Sequence, residues 1–183
     1  MAKVMPTLGA SFAALKMQGP EAVATMGAAL QIARKGAASG EEAANNMSNF
    51  LSKIMSPTTL QKAQKSFGVD LAAIVKNAQQ TGANPIEAVL EKIREITKGG
   101  DQKLLGDLFQ DMQVQNFLRP MMQQYEEYKK IKQDALGAAG GAIIDQDLAR
   151  TRNDGLQQLN EFSNAFSNLK TSKKFTGNLK KKV

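Results

Sequence analysis

Apolar residues along this chain recur at three- and four-residue steps, in runs of about a dozen positions broken by glycine, proline or short polar residues. That period marks amphipathic helices, and nowhere do β-branched residues alternate over the length a strand needs. The stretch SNFLSKIMSPTTLQKAQKSFGVD, Ser48 to Asp70, is representative. One helix ends, Ser56-Pro57 restarts the chain, and a second helix stops at Phe67-Gly68. The segment carries no histidine, no cysteine and no phosphate loop, so its punctuation points to packing rather than catalysis.

Start and stop signals divide the rest in the same way. Pro20-Glu21 opens a helix that Arg34-Lys35-Gly36 closes, with cations at the negative pole and glycine free to take the left-handed cap. Ser39 with Glu42 three residues later is a capping box, followed by the stripe Ala43, Met47, Phe50, Leu51, Ile54 and Met55. A short helix with Leu60, Ala63 and Phe67 follows Ser56-Pro57. Asp70 caps another, with Leu71, Ile74, Val75 and Ala78 on one side and Gly82 past its end. Asn84-Pro85-Ile86-Glu87 is the strongest start: cap residue, proline at the first helical position, acid at the third. Its stripe Ile86, Val89, Leu90 and Ile93 runs to a stop at Lys98 and Gly99-Gly100. Beyond Asp101, Leu104, Leu105, Leu108, Phe109 and Met112 line one helix. Phe117, Met121, Tyr125, Tyr128 and Ile131 line the next, where Pro120 forces a new start or a kink.

The expected architecture is all-α without a sheet. Residues 1–136 form a bundle of about six to eight short and medium helices, 137–141 a Gly/Ala-rich hinge, 142–172 a longer amphipathic helix, and 173–183 a basic tail. In the C-terminal helix Leu156, Leu159, Phe162, Phe166 and Leu169 keep heptad steps over about two heptads, short of the three to four that define a coiled coil. A packed terminal helix and a homo-oligomer seam are both open for it.

Composition narrows the chemistry. With 183 residues, 42% of them hydrophobic, the chain is long enough to bury a core. It has no cysteine and no histidine, which excludes disulfides, serine–histidine and cysteine–histidine hydrolysis and zinc hydrolysis for this segment. The net charge of +7 is local. Lys170, Lys173, Lys174, Lys180, Lys181 and Lys182 lie beyond residue 169 without an acid, and removing these six from 24 basic residues leaves 18 against 17 acidic ones. A lysine tail whose one aromatic is Phe175 falls short of a nucleic-acid groove, and a solvated tail is expected. Ala22 to Ala33, the longest apolar candidate, is interrupted by Thr25 and Gln31, and MAKVMPTLGA lacks the apolar core of a secretory signal. A soluble segment without a membrane span is expected.

Each candidate constellation has a plainer explanation. Asp107 and Asp111, four apart on one expected helix face, lack a third metal ligand. Glu87, Glu91 and Glu95 form an acidic ladder in which Arg94 and Lys98 follow Glu91 and Glu95 at three-residue steps as partners. Asp145-Gln146-Asp147 lacks the glycine and terminal glutamate of a calcium loop. Asn46-Met47-Ser48 matches a glycosylation acceptor only formally, inside an expected helix. The methionines are mostly core filler, with Met121-Met122 beside Tyr125 as a candidate adaptable binding patch. No catalytic, cofactor-binding or metal residue is assigned, and no enzyme activity is expected.

The order AVATMGAALQIARKGA, NNMSNFLSKIMSPTTLQKAQKSFGVDL, NPIEAVLEKI and LFQDMQVQNFLRPMMQQYEEY resembles the core region of phage tail tape measure proteins, over about Leu8 to Leu136. The resemblance implies a structural role in the virion. Such proteins occupy the tail tube lumen, set tail length during assembly in the host cytoplasm with the help of tail chaperones, and leave through the tube as DNA is delivered. Tail tube and tail chaperone proteins are the implied partners. Family members are usually far longer, which implies that this chain is a fragment or a short relative. The alternatives are a stand-alone helical interaction module, or chaperone-like adaptor, that binds partner helices, and a nucleic-acid binder using the lysine tail.

Overall fold

The computed structural model describes residues 5–140. Nine helices lie among these residues and no strand does: α1 (Met5–Ala14), α2 (Gly19–Arg34), α3 (Gly40–Lys53), α4 (Pro57–Phe67), α5 (Leu71–Thr81), α6 (Pro85–Ile96), α7 (Gln102–Leu108), α8 (Met112–Gln123) and α9 (Tyr125–Gly140). The expected C-terminal helix, its heptad seam and the lysine tail lie outside the described residues, as do Asp145 and Asp147.

Six consecutive helices begin on a side-chain cap. Ser39 Oγ accepts from the Glu42 amide at 3.0 Å, while the Glu42 carboxylate turns back to the Ala38 amide at 2.8 Å. Ser56 caps α4, Asp70 caps α5, Asn84 caps α6, Asp101 caps α7 and Asp111 caps α8. Each oxygen satisfies amides that an α-helix leaves open at its first turn, a contribution of about 1 kcal/mol apiece. Gly68 and Gly82 close α4 and α5 in the left-handed conformation, φ 66° and 74°.

Four details differ from the sequence expectation, the first being that α9 runs on through Gly137 to Gly140, where a hinge was expected, because the alanines there sustain the helix. Helix α1 has no cap residue to announce it, yet Leu8 and Phe12, one turn apart, are buried. The apolar stripe from Leu104 to Met112 is not one helix. Phe109 turns extended (φ −125°, ψ 113°), Asp111 accepts from the Gln113 and Val114 amides, and Met112 begins α8 exposed. The interruption is supported by Gln115, whose buried amide donates to the Phe109 carbonyl at 2.8 Å. Pro120 sits inside α8, and the separation from α9 comes four residues later at Gln124.

Helix α3 is the centre of the bundle, packed against α8, α2 and α1, while α5 packs against α6 and α4 rests on α7 and α5. Phe50 of α3 is fully buried, stacked on Phe117 of α8 at 4.8 Å between ring centroids, with Phe109 edge-on at 6.3 Å. Small residues on α2 (Ala22, Ala28, Ala29, Ala33) are buried in the same core and allow close approach of its neighbours.

Candidate functional site

The most concentrated set of interacting polar groups in the described residues joins α2, α6 and α9. On α6, Glu87 and Glu91 stand one turn apart. On α9, Tyr125, Tyr128 and Lys132 share a face at three- and four-residue steps. Tyr125 Oη donates to Glu91 Oε1 at 3.2 Å and Tyr128 Oη to Glu87 Oε1 at 2.8 Å. Lys132 Nζ lies 2.8 Å from both Glu87 Oε1 and Glu21 Oε1, so one ammonium bridges carboxylates of α6 and α2. Asn84 does two jobs: its Oδ1 caps α6, and its Nδ2 donates to Glu21 Oε1 (3.1 Å) and Thr25 Oγ1 (2.8 Å) on α2. The two tyrosine rings stack at 5.7 Å, and Arg94 and Lys129 flank the Tyr125 ring at 5.4 and 5.3 Å.

The electrostatics favour the charges as drawn. Burial opposes the Lys132 ammonium, but hydrogen bonds to Glu21 and Glu87 outweigh it and hold its pKa above the ordinary 10.5. Burial likewise opposes the Glu21 carboxylate, and the bonds from Lys132 and Asn84 outweigh it and hold the group below its ordinary 4.5. Burial, reinforced by the neighbouring carboxylates, pushes both phenols well above their usual value. At neutral pH the group is therefore a lysinium, carboxylates and neutral phenols that satisfy one another. Such an arrangement holds three helices in register.

A pH dependence follows. The folded chain keeps the Tyr125 and Tyr128 protons to higher pH than the unfolded chain does. Above the ordinary phenol value of 10 the unfolded state releases them first, and stability falls by about 1.4 kcal/mol per pH unit for each tyrosine. The Lys132 contribution is complete below 10.5 and is lost as pH rises beyond it, whereas the Glu21 contribution is present above 4.5 and is lost as pH falls. Urea midpoints should hold level between these windows and drop steeply on the alkaline side, with a shallower drop in Tyr128→Phe. A midpoint unchanged up to about pH 11 would contradict this account of the joint.

The residues singled out in the sequence are distributed otherwise. Glu95 pairs with Lys92 and Arg94 with Glu126 of α9, so the ladder's partners are not the Arg94 and Lys98 that follow at three-residue steps. Helical spacing suggested local pairs, but packing of α9 supplied closer ones. Asp107 lies in α7 and Asp111 caps α8, so they share no helix face. Met121, Met122 and Tyr125 are core, not an exposed patch. Asn46 is buried within α3, out of reach of a glycosylating enzyme. Among the described residues no group of three or more acids, histidines or cysteines is disposed to hold a metal ion. Apart from the joint, an apolar groove of about 340 Å³ is lined by Leu30, Ala43 and Ile131, with Arg34, Lys35 and Glu127 at its rim.

What distinguishes the chain is thus its helical framework, and comparison with known proteins places that framework. The family described as phage-related minor tail protein matches residues 1–113, from the start of the chain to just inside α8. The chain belongs to this family. Among relatives of this minor tail protein is the "Probable tape measure protein" of Burkholderia phage BcepMu, 31% identical over 174 residues, covering 82% of this chain and 20% of that protein. The chain thus spans about one fifth of the length of the curated relative it matches. No solved structure matches it. As a minor tail protein it is a structural component of the phage tail, and the all-α bundle is the form it takes over the described residues.

Proposed function

We propose that this minor tail protein supplies a folded helical module of a tape measure protein, acting in tail assembly, length determination and genome delivery. The observation that carries the reading is the 31% identity to the BcepMu protein across most of this chain. The helix lengths refine it. A ruler needs about 1.5 Å per residue of unbroken helix, whereas the longest described helices have 16 residues and so reach about 24 Å. Measurement belongs to extended parts of such a protein, and this module packs and docks.

In this reading the module is not an enzyme. It works in the tail tube lumen of the virion, and in the host cytoplasm during assembly, against tail tube and tail chaperone proteins. Residues 1–136 are the docking body, 137–141 the Gly/Ala-rich link into which α9 continues as far as Gly140, 142–172 an amphipathic helix that is either a packed terminal helix or a homo-oligomer seam, and 173–183 a solvated tail. No described helix is long and apolar enough to cross a membrane.

An antibody against residues 8–136 should detect the polypeptide in purified tails, and cross-linking there should join it to the tube protein. Detection in producing cells but not in purified tails would overturn the reading in favour of a stand-alone helical adaptor.

A further inference from the structure

We propose that α9 is a strap that opens as a unit from the face of α2 and α6, with Lys132 as its latch. This rests on the geometry of the joint and is independent of the tail assignment. Helix α3 lies close along α8 and buries Ala43, Ala44, Met47, Phe50 and Leu51. Helix α9 has no such close backbone neighbour. It reaches the body through long side chains, and among its described side chains Tyr125, Tyr128 and the partly buried Ile131 pack into or against the apolar core.

Its remaining attachments are polar and end on the same two helices. Tyr125 binds Glu91, Tyr128 binds Glu87, and Lys132 binds Glu87 and Glu21. Glu126 meets Arg94, and Glu127 meets Lys35 just past α2. The last two pairs are half exposed, so salt screens them and they add little to stability. The Lys132 side chain is only 12% exposed, and its ammonium is the one cation paired with both the Glu21 and the Glu87 carboxylates among the described residues. Across this joint the carboxylates of Glu21, Glu87, Glu91, Glu126 and Glu127 meet the cations Lys35, Arg94 and Lys132, while Lys129 pairs with Glu126 within α9. Removing the Lys132 charge leaves an unbalanced acidic seam that favours separation. Elements with few apolar contacts and many polar ones open locally before the core does.

Hydrogen–deuterium exchange of the full chain, read by mass spectrometry, tests this. In Lys132→Met, amides of residues 125–136 should exchange at least about tenfold faster than in the unaltered chain, both halves of the segment together. Those of 43–51 in α3 should change less than about twofold. Lys132→Arg, which keeps the charge, should stay within about threefold of the unaltered chain. Exchange of α9 and α3 in step, or a response confined to residues 133–136 as in a fraying end, overturns the proposal. So does indifference to the Lys132 charge. Should Lys132→Met fail to fold, the unaltered chain between about 20 mM and 1 M salt decides. Acceleration of α9 ahead of α3 supports the strap, and equal or no acceleration overturns it.

Discussion

Truncating Phe50 to alanine is expected to destabilise the bundle by about 3 to 5 kcal/mol, a large part of the 5–15 kcal/mol typical of a folded domain. The ring is fully buried where α3 meets α8, stacked on Phe117 of α8 and edge-on to Phe109 just past α7. Its removal loses transfer free energy, leaves a cavity that α3 and α8 cannot both collapse into, and strips two aromatic contacts. Phe50→Leu, which keeps most of the volume, should cost less than half as much. Urea unfolding followed by circular dichroism measures both. A loss for Phe50→Ala below about 1.5 kcal/mol would mean that this aromatic cluster does not organise the core.

Gly100→Ala is the second change expected to be severe, at about 2 to 5 kcal/mol. Two independent effects combine there. The backbone has φ +105°, which an L-side chain rarely adopts, and a methyl at this position would lie 2.6 Å from Cβ of Met122. That carbon is fixed to the α8 backbone, so no rotamer change moves it away. Gly99 supplies the control: its φ is +84°, but a methyl there meets nothing within 4 Å. Gly99→Ala should therefore show the backbone penalty alone, about 1 to 2 kcal/mol. Equal melting shifts for the two variants would show that α8 yields at Met122 and that the contact is not a constraint.

How much of this was legible in the sequence depended on how far each signal reaches along the chain. The caps at Ser39, Ser56, Asp70 and Asn84 could be read because the side chain and the amide it binds are two or three residues apart. The break between α7 and α8 was hidden by an apolar stripe that continues through Phe109, since Phe109 is buried whether the chain is helical or extended there. Its clue was Asp111, read instead as half of an acidic pair with Asp107. Gly99-Gly100 was visible as a stop, but its close approach to Met122 depends on where α8 lies. The joint at Lys132 was the least legible. Its members were in view as an acidic ladder on α6 and an apolar stripe on α9, yet their pairing is set by how the helices pack, and local spacing offered nearer false partners.

The same division between near and far governs the order in which the fold can be made. Helices that carry their own caps start at fixed residues without waiting for a distant surface, and all-helical chains rich in local contacts fold in microseconds to milliseconds. The joint of α2, α6 and α9 has no such shortcut. Glu21 and Lys132 are 111 residues apart in sequence, so their meeting carries the entropy of closing nearly the whole bundle. Loop closure thus weighs most on this one pair, while Tyr125–Glu91 and Tyr128–Glu87 close loops of only 34 and 41 residues, so Lys132 reports on closure of the whole bundle rather than on its local helices.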